Sequence, residues 1–428
     1  MKDFKIMGLP VPVYGGLLAV LLIAVFMGVL PTGMIGAFAF MMIIGALLDL
    51  IGNNTPIVKT FFGGGPIVVI FGSAALVYFN ILPPEITENV NTFMKSGGFL
   101  DFYIAALITG SILGMSKKLL IKAAIRYFPT IRGGVVAALA LVALGGLIMG
   151  QSVTESMAYI GIPIMGGGMG AGAVPLAEVF AKGLNVPPED VLSRLVPAVA
   201  LGNAIAIVFG GLLDRLGQKY PSLTGNGKLM ELGEDDLKVV DKADSFTLKD
   251  FGYGIAIATS FFTFGNIVAE VLVRTVGLDI HPYAWMIISV AIAKAINLLP
   301  AHLEEACSNW YKFVATNWTA ALLMGIGIAY TNLGDVIAAF SPTFLVLVFL
   351  VILGAVIGSG FVGKLVGFYP IEAAITAGLC MANMGGTGDV AVLTAAKRME
   401  LMPFAQISSR LGGAFIILLA SLLVPLFF

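Results

Sequence analysis

Two glycine-rich strings carry the residues whose types and spacing could bind ions. Each has the pattern Gly-Gly-x-Gly, at residues 167–170 and at residues 385–388. Successive glycines weaken a helix by about 1 kcal/mol each relative to alanine, so each string predicts unwound backbone. Free N–H groups and the positive dipole end of the helix that starts there favour an anion such as a carboxylate. Unpaired carbonyl groups of the opposing half-helix favour a small cation.

Polar side chains lie in and beside the second glycine string. Asn383, Thr387 and Asp389 supply oxygen atoms that can help to strip the hydration shell from a small cation. The alternative interpretation is that the glycines of both strings only allow helices to pack closely. The two glycine strings lie at equivalent points of two similar halves of the chain, and this placement favours a binding role.

Arg410, in the string AQISSRLGG, is the charged residue best suited to hold an anion. Its planar guanidinium can donate two parallel hydrogen bonds to a carboxylate, and it stays charged at physiological pH. The alternative is an arginine at the cytoplasmic rim of the membrane, where positive residues accumulate. Lys397 and Arg398 fit that rim interpretation better than Arg410 does.

The composition is that of a polytopic membrane protein. Of 428 residues, 58% are hydrophobic and 11% are charged, and the mean hydropathy is +0.99. These values lie outside the usual range of soluble domains. A net charge of -1 provides no basic field for nucleic acid. The two cysteines and two histidines lack metal-ligand spacing, so we expect no cofactor other than a coupling ion.

Hydropathy predicts eleven full spans and two broken ones. A helix needs about 20 apolar residues to cross the hydrocarbon core. The stretches 157–180 and 373–396 are long enough but are broken at their glycines. Because non-helical backbone at membrane depth must lie inside protein or along a wet cavity, we predict two re-entrant hairpins there. The eleven full spans are expected near residues 11–30, 32–51, 67–82, 99–115, 134–150, 195–213, 252–273, 283–301, 314–331, 343–361 and 412–428.

The order of these elements repeats along the chain. An N-terminal tail and first helix occupy residues 1–31. Four spans, a hairpin and a span then occupy residues 32–213, and the same order returns in residues 251–428 after a polar cytoplasmic linker at 214–250. Each repeat has five full spans, an odd number, so the second repeat must cross the membrane in the opposite orientation to the first. Inverted repeats of this kind are typical of secondary transporters. The predicted fold class is therefore an all-α polytopic membrane protein with eleven spans and two re-entrant GGxG hairpins.

Positive charges in short loops predict the orientation. The loop at 116–133 contains five basic residues and no acidic residue, so we expect it in the cytoplasm. The N-terminus then lies in the cytoplasm too, and the C-terminus lies outside. The first hairpin enters from outside and the second from the cytoplasm, so their tips should meet near the bilayer centre. The five basic residues are Lys117, Lys118, Lys122, Arg126 and Arg132.

The chain resembles the bacterial 2-hydroxycarboxylate transporters, which include sodium-coupled citrate and malate symporters. The resemblance covers essentially the whole chain and is most specific in the strings GGGMGAGAVPL and RMELMPFAQISSRLGG. It implies a transporter, not an enzyme: a homodimer in the bacterial cytoplasmic membrane whose mobile domain, holding both hairpins, slides past a fixed dimerisation domain. It also implies that Arg410 grips a substrate carboxylate and that Gly170, Asn383, Gly386 and Thr387 line the site.

Two positions depart from the pattern of the sodium-citrate carriers that the chain resembles. Met384 stands where those carriers have a second substrate-binding arginine. We include Met384 among the predicted substrate-binding residues. Without that arginine we expect a smaller 2-hydroxy acid with two carboxylates, such as malate, rather than citrate. Met169 stands where they have an asparagine, which removes one side-chain ligand for sodium, although backbone carbonyls can still hold the ion. The predicted cation-binding residues are Gly167, Met169, Asn383, Thr387 and Ser409.

Charge movement gives a reason for ion coupling. Carrying a dianion into a negative-inside cell costs roughly 4 to 5 kcal/mol per 100 mV, and two co-transported monovalent cations would cancel that cost. Sodium is the expected ion and protons are the alternative, while exchange of malate for lactate would avoid net dianion import. Two other classes are a membrane subunit of a sodium-pumping decarboxylase, for which the chain supplies no biotin carrier, and an ion channel. Two inverted hairpins in one chain argue against the channel.

Overall fold

The computed structural model describes residues 5–61, 64–114, 127–230, 247–276, 282–398 and 401–427. The only strands within these ranges are β1 (Lys5–Ile6) and β2 (Leu9–Pro10), which form a short antiparallel hairpin. Four of the five basic residues in the loop at 116–133, and residues 231–246 of the predicted linker, lie outside the described residues.

The first half of the chain is a series of apolar helices followed by a glycine-broken pair of short arms. Several of these helices carry proline in their first turn, where the missing N–H group has no intrahelical partner to lose. Two π-helical turns interrupt the arms, at Met157–Gly161 and Met169–Ala173. The helices are α1 (Val11–Phe26), α2 (Met34–Asn54), α3 (Pro56–Phe61), α4 (Gly65–Tyr78), α5 (Pro84–Met94), α6 (Phe99–Leu113), α7 (Phe128–Ile148), α8 (Val153–Ser156), α9 (Ile162–Ile164), α10 (Val174–Leu184) and α11 (Pro188–Lys219).

The second half follows a similar order of elements. A long helix, a shorter apolar helix, a bent pair and another long helix again precede a glycine-broken pair of arms. The π-helical turns here are Ala374–Leu379 and Ser408–Gly412. The helices are α12 (Leu248–Val276), α13 (Pro282–Ala295), α14 (Ala301–Asn317), α15 (Thr319–Ala329), α16 (Leu333–Ala339), α17 (Pro342–Leu365), α18 (Pro370–Ala373), α19 (Gly386–Ala395), α20 (Met402–Ile407) and α21 (Gly413–Phe427).

The lengths and composition of these helices confirm an all-α membrane protein. Six helical segments in the described ranges are long and apolar enough to cross a bilayer: α2, α7, α11, α12, α17 and the segment Ser408–Phe427. Two bent pairs, α5 with α6 and α14 with α15, raise the number to eight if each pair is one span. Shorter apolar helices coincide with other predicted spans, among them α1 and α4.

One predicted span is not a single straight helix. The predicted span at 314–331 contains a break at Trp318, where α14 and α15 meet at a bend of 60°. The Trp318 ring packs between Phe38 and Trp310, with ring centroids 5.4 Å away in each case. Hydropathy could not reveal this bend, because an aromatic side chain has the same hydropathy in a straight helix and in a bent one.

The helices form two groups. In the first group, α2, α4, α5 and α6 pack with α12 to α15. In the second group, α7 packs along α17, and both glycine-broken arms pack with α11 and α21. The α7–α17 contact depends on small residues, since an added Cβ on Gly354 would lie 2.6 Å from the Ala137 carbonyl oxygen. Backbones that approach this closely are typical of helix packing in membranes.

Arg398 is buried inside the second group, which the rim interpretation had not predicted; its depth in the membrane stays a prediction. The side chain is 8% exposed, and its guanidinium pairs with Asp214 at 3.1 Å and with Glu372 at 3.4 Å. Glu372 is fully buried and also accepts hydrogen bonds from Thr224 and the Gly225 N–H. The cluster therefore ties both ends of the second pair of arms to α11 and to the start of the linker. Lys397 is 70% exposed, as a rim residue should be.

Removing the Arg398 charge should destabilise the protein strongly. Arg398→Met would leave Glu372 and Asp214 buried without their main counter-charge, which costs about 3–5 kcal/mol. The thermal midpoint of the purified protein in detergent should fall accordingly. Lys397→Met is the matched control, because this neighbouring lysine also pairs with Asp214 but is mostly exposed, and exposed pairs contribute about 0–1 kcal/mol. Equal midpoints for the two variants would contradict a structural role for the Arg398 cluster.

Candidate functional site

The first glycine string forms a tight turn between α9 and the π-helical turn that leads into α10. Gly167 and Gly168 have φ angles of 75° and 134°, which side chains rarely allow. The Gly167 N–H donates to the Met381 carbonyl at 3.1 Å. An added Cβ on Gly167 would overlap the Ser409 carbonyl oxygen. Only glycine can therefore bring this turn against both Met381 and Ser409.

The second glycine string meets the first. A Cβ added to Gly168 would lie 3.1 Å from the Gly385 Cα, so the two backbones are nearly in contact. Gly385 has a φ angle of 89°, and its N–H donates to Asn383 Oδ1 at 2.7 Å. Helix α19 begins at Gly386, and its first N–H groups lack intrahelical partners. Unpaired backbone N–H groups therefore lie where the two glycine tips meet.

A buried carboxylate lies directly behind the second tip. Asp389 is 1% exposed, and Ser409 Oγ lies 2.9 Å from both of its carboxylate oxygens. Asn383 Nδ2 donates to it at 2.9 Å, and Ser409 Oγ also contacts the Cys380 carbonyl at 2.9 Å. Within the described ranges, no lysine or arginine nitrogen lies within 4 Å of this carboxylate. A buried carboxylate beside a hydroxyl and a backbone carbonyl is a suitable environment for a small hard cation.

A cavity of about 520 Å³ separates the two tips from the first helix group. On the tip side it is lined by both glycine strings and by Ser409 and Arg410. On the opposite side it is lined by polar side chains of the first group, among them Tyr103, Tyr311 and Thr319. The volume and the mixture of apolar walls with a few polar groups are typical of small-molecule sites.

Arg410 presents its charge to this cavity. It lies in the π-helical turn Ser408–Gly412, and its Nη2 donates to the Tyr311 hydroxyl at 3.1 Å. The guanidinium carbon also lies 4.9 Å from the centroid of the Tyr311 ring. In the described part of the chain, no carboxylate oxygen lies within 4 Å of the guanidinium. The side chain lines the cavity and retains donors that an anion could use.

Comparison with known proteins agrees with this arrangement. The sequence profile of the 2-hydroxycarboxylate transporter family matches residues 6–422. The chain belongs to this family. The resemblance found in the sequence is thereby confirmed, and the protein is a member of a transporter family rather than an enzyme family.

Relatives within the 2-hydroxycarboxylate transporter family match along nearly their whole length. The Na(+)-malate symporter of Bacillus subtilis is 39% identical over 423 residues, covering 98% of this chain and 92% of the relative. The citrate/sodium symporter of Salmonella typhimurium is 37% identical over 420 residues, covering 98% and 94%. The malate transporter of Lactococcus lactis is 37% identical over 431 residues, covering 100% and 99%.

Most of the predicted site residues come together around the cavity. Asn383 is fully buried behind the second tip, next to Asp389. Thr387 lies in α19, but its side chain is outside the described residues. The roles of all these residues in binding remain predictions. The predicted residues that line the cavity directly are Gly167, Met169, Gly170, Met384, Gly386, Ser409 and Arg410.

The structure adds residues that the predicted set did not include. Asp389 supplies oxygen atoms beside the second glycine string, but the predicted cation-binding residues do not include it. Asn203 is fully buried in α11, and its Oδ1 accepts from the Met384 N–H at 3.1 Å, which fixes the second tip. An amide inside an apolar span is costly unless it is paired, and this cost was the sequence signal for Asn203. Tyr311 had no such signal, because its contact with Arg410 spans 99 residues.

Proposed function

We propose that this member of the 2-hydroxycarboxylate transporter family takes up a small 2-hydroxycarboxylate, with malate favoured over citrate, by sodium symport. The observation that carries the proposal is that two opposite charges without ion-pair partners in the described part of the chain lie at one pair of glycine tips. Arg410 faces the cavity, and Asp389 is buried directly behind it. An anion site and a cation site can therefore be filled together.

The substrate side of the proposed site combines Arg410 with backbone donors. A carboxylate in the cavity can accept two parallel hydrogen bonds from the guanidinium. The free N–H groups at the start of α19, from Gly386 onward, can hold a second carboxylate or the 2-hydroxyl group. Gly170 lines the same cavity from the first tip. Two carboxylates and one hydroxyl group match this set of donors.

The cation side is proposed to lie among the Asp389 carboxylate, Ser409 Oγ and the Cys380 carbonyl, next to Asn383, whose Nδ2 donates to the carboxylate. Sodium there would neutralise a buried charge, which explains why these oxygens converge. Asn383 also accepts the Gly385 N–H bond that shapes the second tip. Cation binding would therefore order the backbone that receives the substrate. Gly167, Met169 and Thr387 remain the other predicted contributors, and protons remain the alternative coupling ion.

Met384 is proposed to set the size of the substrate. Its side chain is 7% exposed and lines the cavity beside Gly385. A thioether offers no charge to a third carboxylate, and an unpaired carboxylate in the cavity would be costly. A dicarboxylate such as malate then binds with its charges matched, whereas citrate does not. The relatives include malate and citrate carriers at similar identity, so the choice of malate depends on Met384.

We further propose an elevator motion in which the second helix group, with both tips, moves past the first. The cavity between the two groups supports this idea. The arms also suit re-entrant hairpins. Helix α10 has 11 residues and α19 has 10, which at 1.5 Å per residue gives roughly 15–17 Å against a hydrocarbon core of about 30 Å. Eleven spans in two inverted repeats remain our proposed topology.

The proposed setting is a homodimer in the bacterial cytoplasmic membrane, with the N-terminus in the cytoplasm and the C-terminus outside. The basic residues of the loop at 116–133 support this orientation. Membership of a transporter family makes the decarboxylase-subunit alternative unnecessary. Citrate symport, proton coupling and malate–lactate exchange are separate outcomes of the first test below.

Uptake of labelled malate into proteoliposomes tests the proposed function. We expect uptake to require an inward sodium gradient at fixed pH, and excess malate to block it far better than citrate. Arg410→Ala should lower the uptake rate by about a hundredfold, because a charge-assisted bidentate contact is lost. Arg194→Ala is the matched control, since this arginine is 49% exposed and pairs with Glu155. Sodium-independent uptake would mean that transport is coupled to protons or is an exchange. Normal uptake by Arg410→Ala would mean that Arg410 does not bind the substrate carboxylate.

Asp389→Asn tests the cation site. The substitution keeps the shape but removes the buried charge, so the sodium concentration for half-maximal uptake should rise at least about tenfold. The thermal midpoint without sodium should hold or rise, because a buried charge without a close counter-charge is costly. Asp190→Asn is the control, at an exposed position near the start of α11. A lowered midpoint with unchanged sodium dependence would mean that Asp389 is only structural.

Met384→Arg tests the assignment of specificity. The new guanidinium would supply a partner for a third carboxylate, so citrate should compete with labelled malate about tenfold better than in the wild type. Met384→Gln keeps the length and adds polarity without charge, and it should not improve citrate competition. No gain with arginine would show that Met384 does not determine substrate size.

A further inference from the structure

Tyr311 makes the hydrogen bond and the ring contact that the structure records for Arg410. The two residues belong to different helix groups, since Tyr311 lies in α14 and Arg410 lies between α20 and α21. The hydroxyl is 3.1 Å from Nη2, and the ring centroid is 4.9 Å from the guanidinium carbon. Both contacts lie in the wall of the cavity. One tyrosine therefore holds the predicted substrate anchor from the opposite side.

The hydroxyl occupies a position that a substrate carboxylate needs. A guanidinium has five N–H donors in a fixed plane, and a carboxylate binds best through two parallel bonds. A neutral phenol oxygen that accepts from Nη2 competes for one of these donors. The aromatic face is a separate contact, because a ring attracts a guanidinium through its quadrupole without using the in-plane donors. Carboxylate binding thus has to displace the hydroxyl but can leave the ring in place.

The contact also joins the two groups that must separate in the proposed cycle. A hydrogen bond of 3.1 Å does not survive a displacement of one group along the other. While the cavity is empty, this bond favours the present arrangement of the groups. Once a carboxylate takes the donors, the bond no longer opposes movement. The same atoms therefore link occupancy of the site to freedom of motion.

We propose that Tyr311 is a positioning residue that holds Arg410 while the cavity is empty and releases the second helix group when a substrate carboxylate displaces its hydroxyl. The proposal rests on the proposed function. Net uptake requires the empty carrier to return, whereas exchange of substrate for substrate does not. Tyr311 therefore slows net uptake more than it slows exchange.

Tyr311→Phe separates the hydroxyl from the ring. Losing the competing acceptor should lower the malate dissociation constant, measured by titration calorimetry on the purified protein, about five- to tenfold. The ratio of net uptake to exchange in proteoliposomes should rise at least about threefold, because the empty carrier is no longer held. Tyr311→Leu removes the ring as well, so the guanidinium is less well placed. Its affinity should be weaker than that of Tyr311→Phe.

Tyr103→Phe is the matched control. Tyr103 lines the same cavity, but its hydroxyl bonds to Thr319, which belongs to the same helix group. Its loss should change net uptake and exchange in the same proportion. An unchanged affinity and an unchanged ratio in Tyr311→Phe would overturn the proposal. Failure of the wild type to bind malate, citrate or lactate would instead overturn the proposed function, and the two failures are therefore distinguishable.

Discussion

The contact between the two glycine tips is the constraint on which the rest of the site depends. Gly167 donates to the Met381 carbonyl and Gly168 lies against Gly385; a side chain at Gly167 or Gly168 would crowd this contact, and the φ angle of 89° disfavours one at Gly385. Because each tip comes from a different half of the chain, unwound backbone from both halves meets at one place. Unpaired donors and carbonyls then coexist inside an apolar protein, where such groups are tolerated only around a cavity or an ion. The binding chemistry follows from this packing.

The site has a proposed cation side and a proposed substrate side, and two adjacent residues face them. Ser409 points its hydroxyl at the buried Asp389 carboxylate, and the next residue, Arg410, extends its guanidinium into the cavity. Neither Asp389 nor Arg410 has an ion-pair partner among the described residues, and for the buried Asp389 carboxylate a negative charge without a partner is costly. A cation on one side and a substrate carboxylate on the other would give both a partner. Since the two residues are adjacent in one turn, filling one side constrains the backbone of the other.

The sequence was sufficient for features that depend on local pattern. Apolar stretches located the helices, and the repeated GGxG strings located both tips, because hydropathy and glycine content act over a few residues. Tertiary contacts between distant residues were not accessible in this way. The place of Arg398 after the hairpin does not reveal that Asp214, 184 residues away, holds its side chain in a buried cluster. The Trp318 bend and the Tyr311 contact depend equally on side chains from other helices.

The distribution of polar contacts differs within and between the two helix groups. Inside the second group, Glu372, Arg398 and Asp214 form a buried network, and breaking such a network is costly. Between the groups, the described polar contacts include the Arg410–Tyr311 bond, the Lys95–Glu189 pair, whose side chains are 37% and 36% exposed, and the buried Ser193 hydroxyl of α11, which bonds to the chain following α15. Exposed pairs contribute little, and a single hydrogen bond to a charged group about 1.5–3 kcal/mol. No buried ion pair crosses the boundary among the described residues, which suits the proposed motion of the second group with both tips.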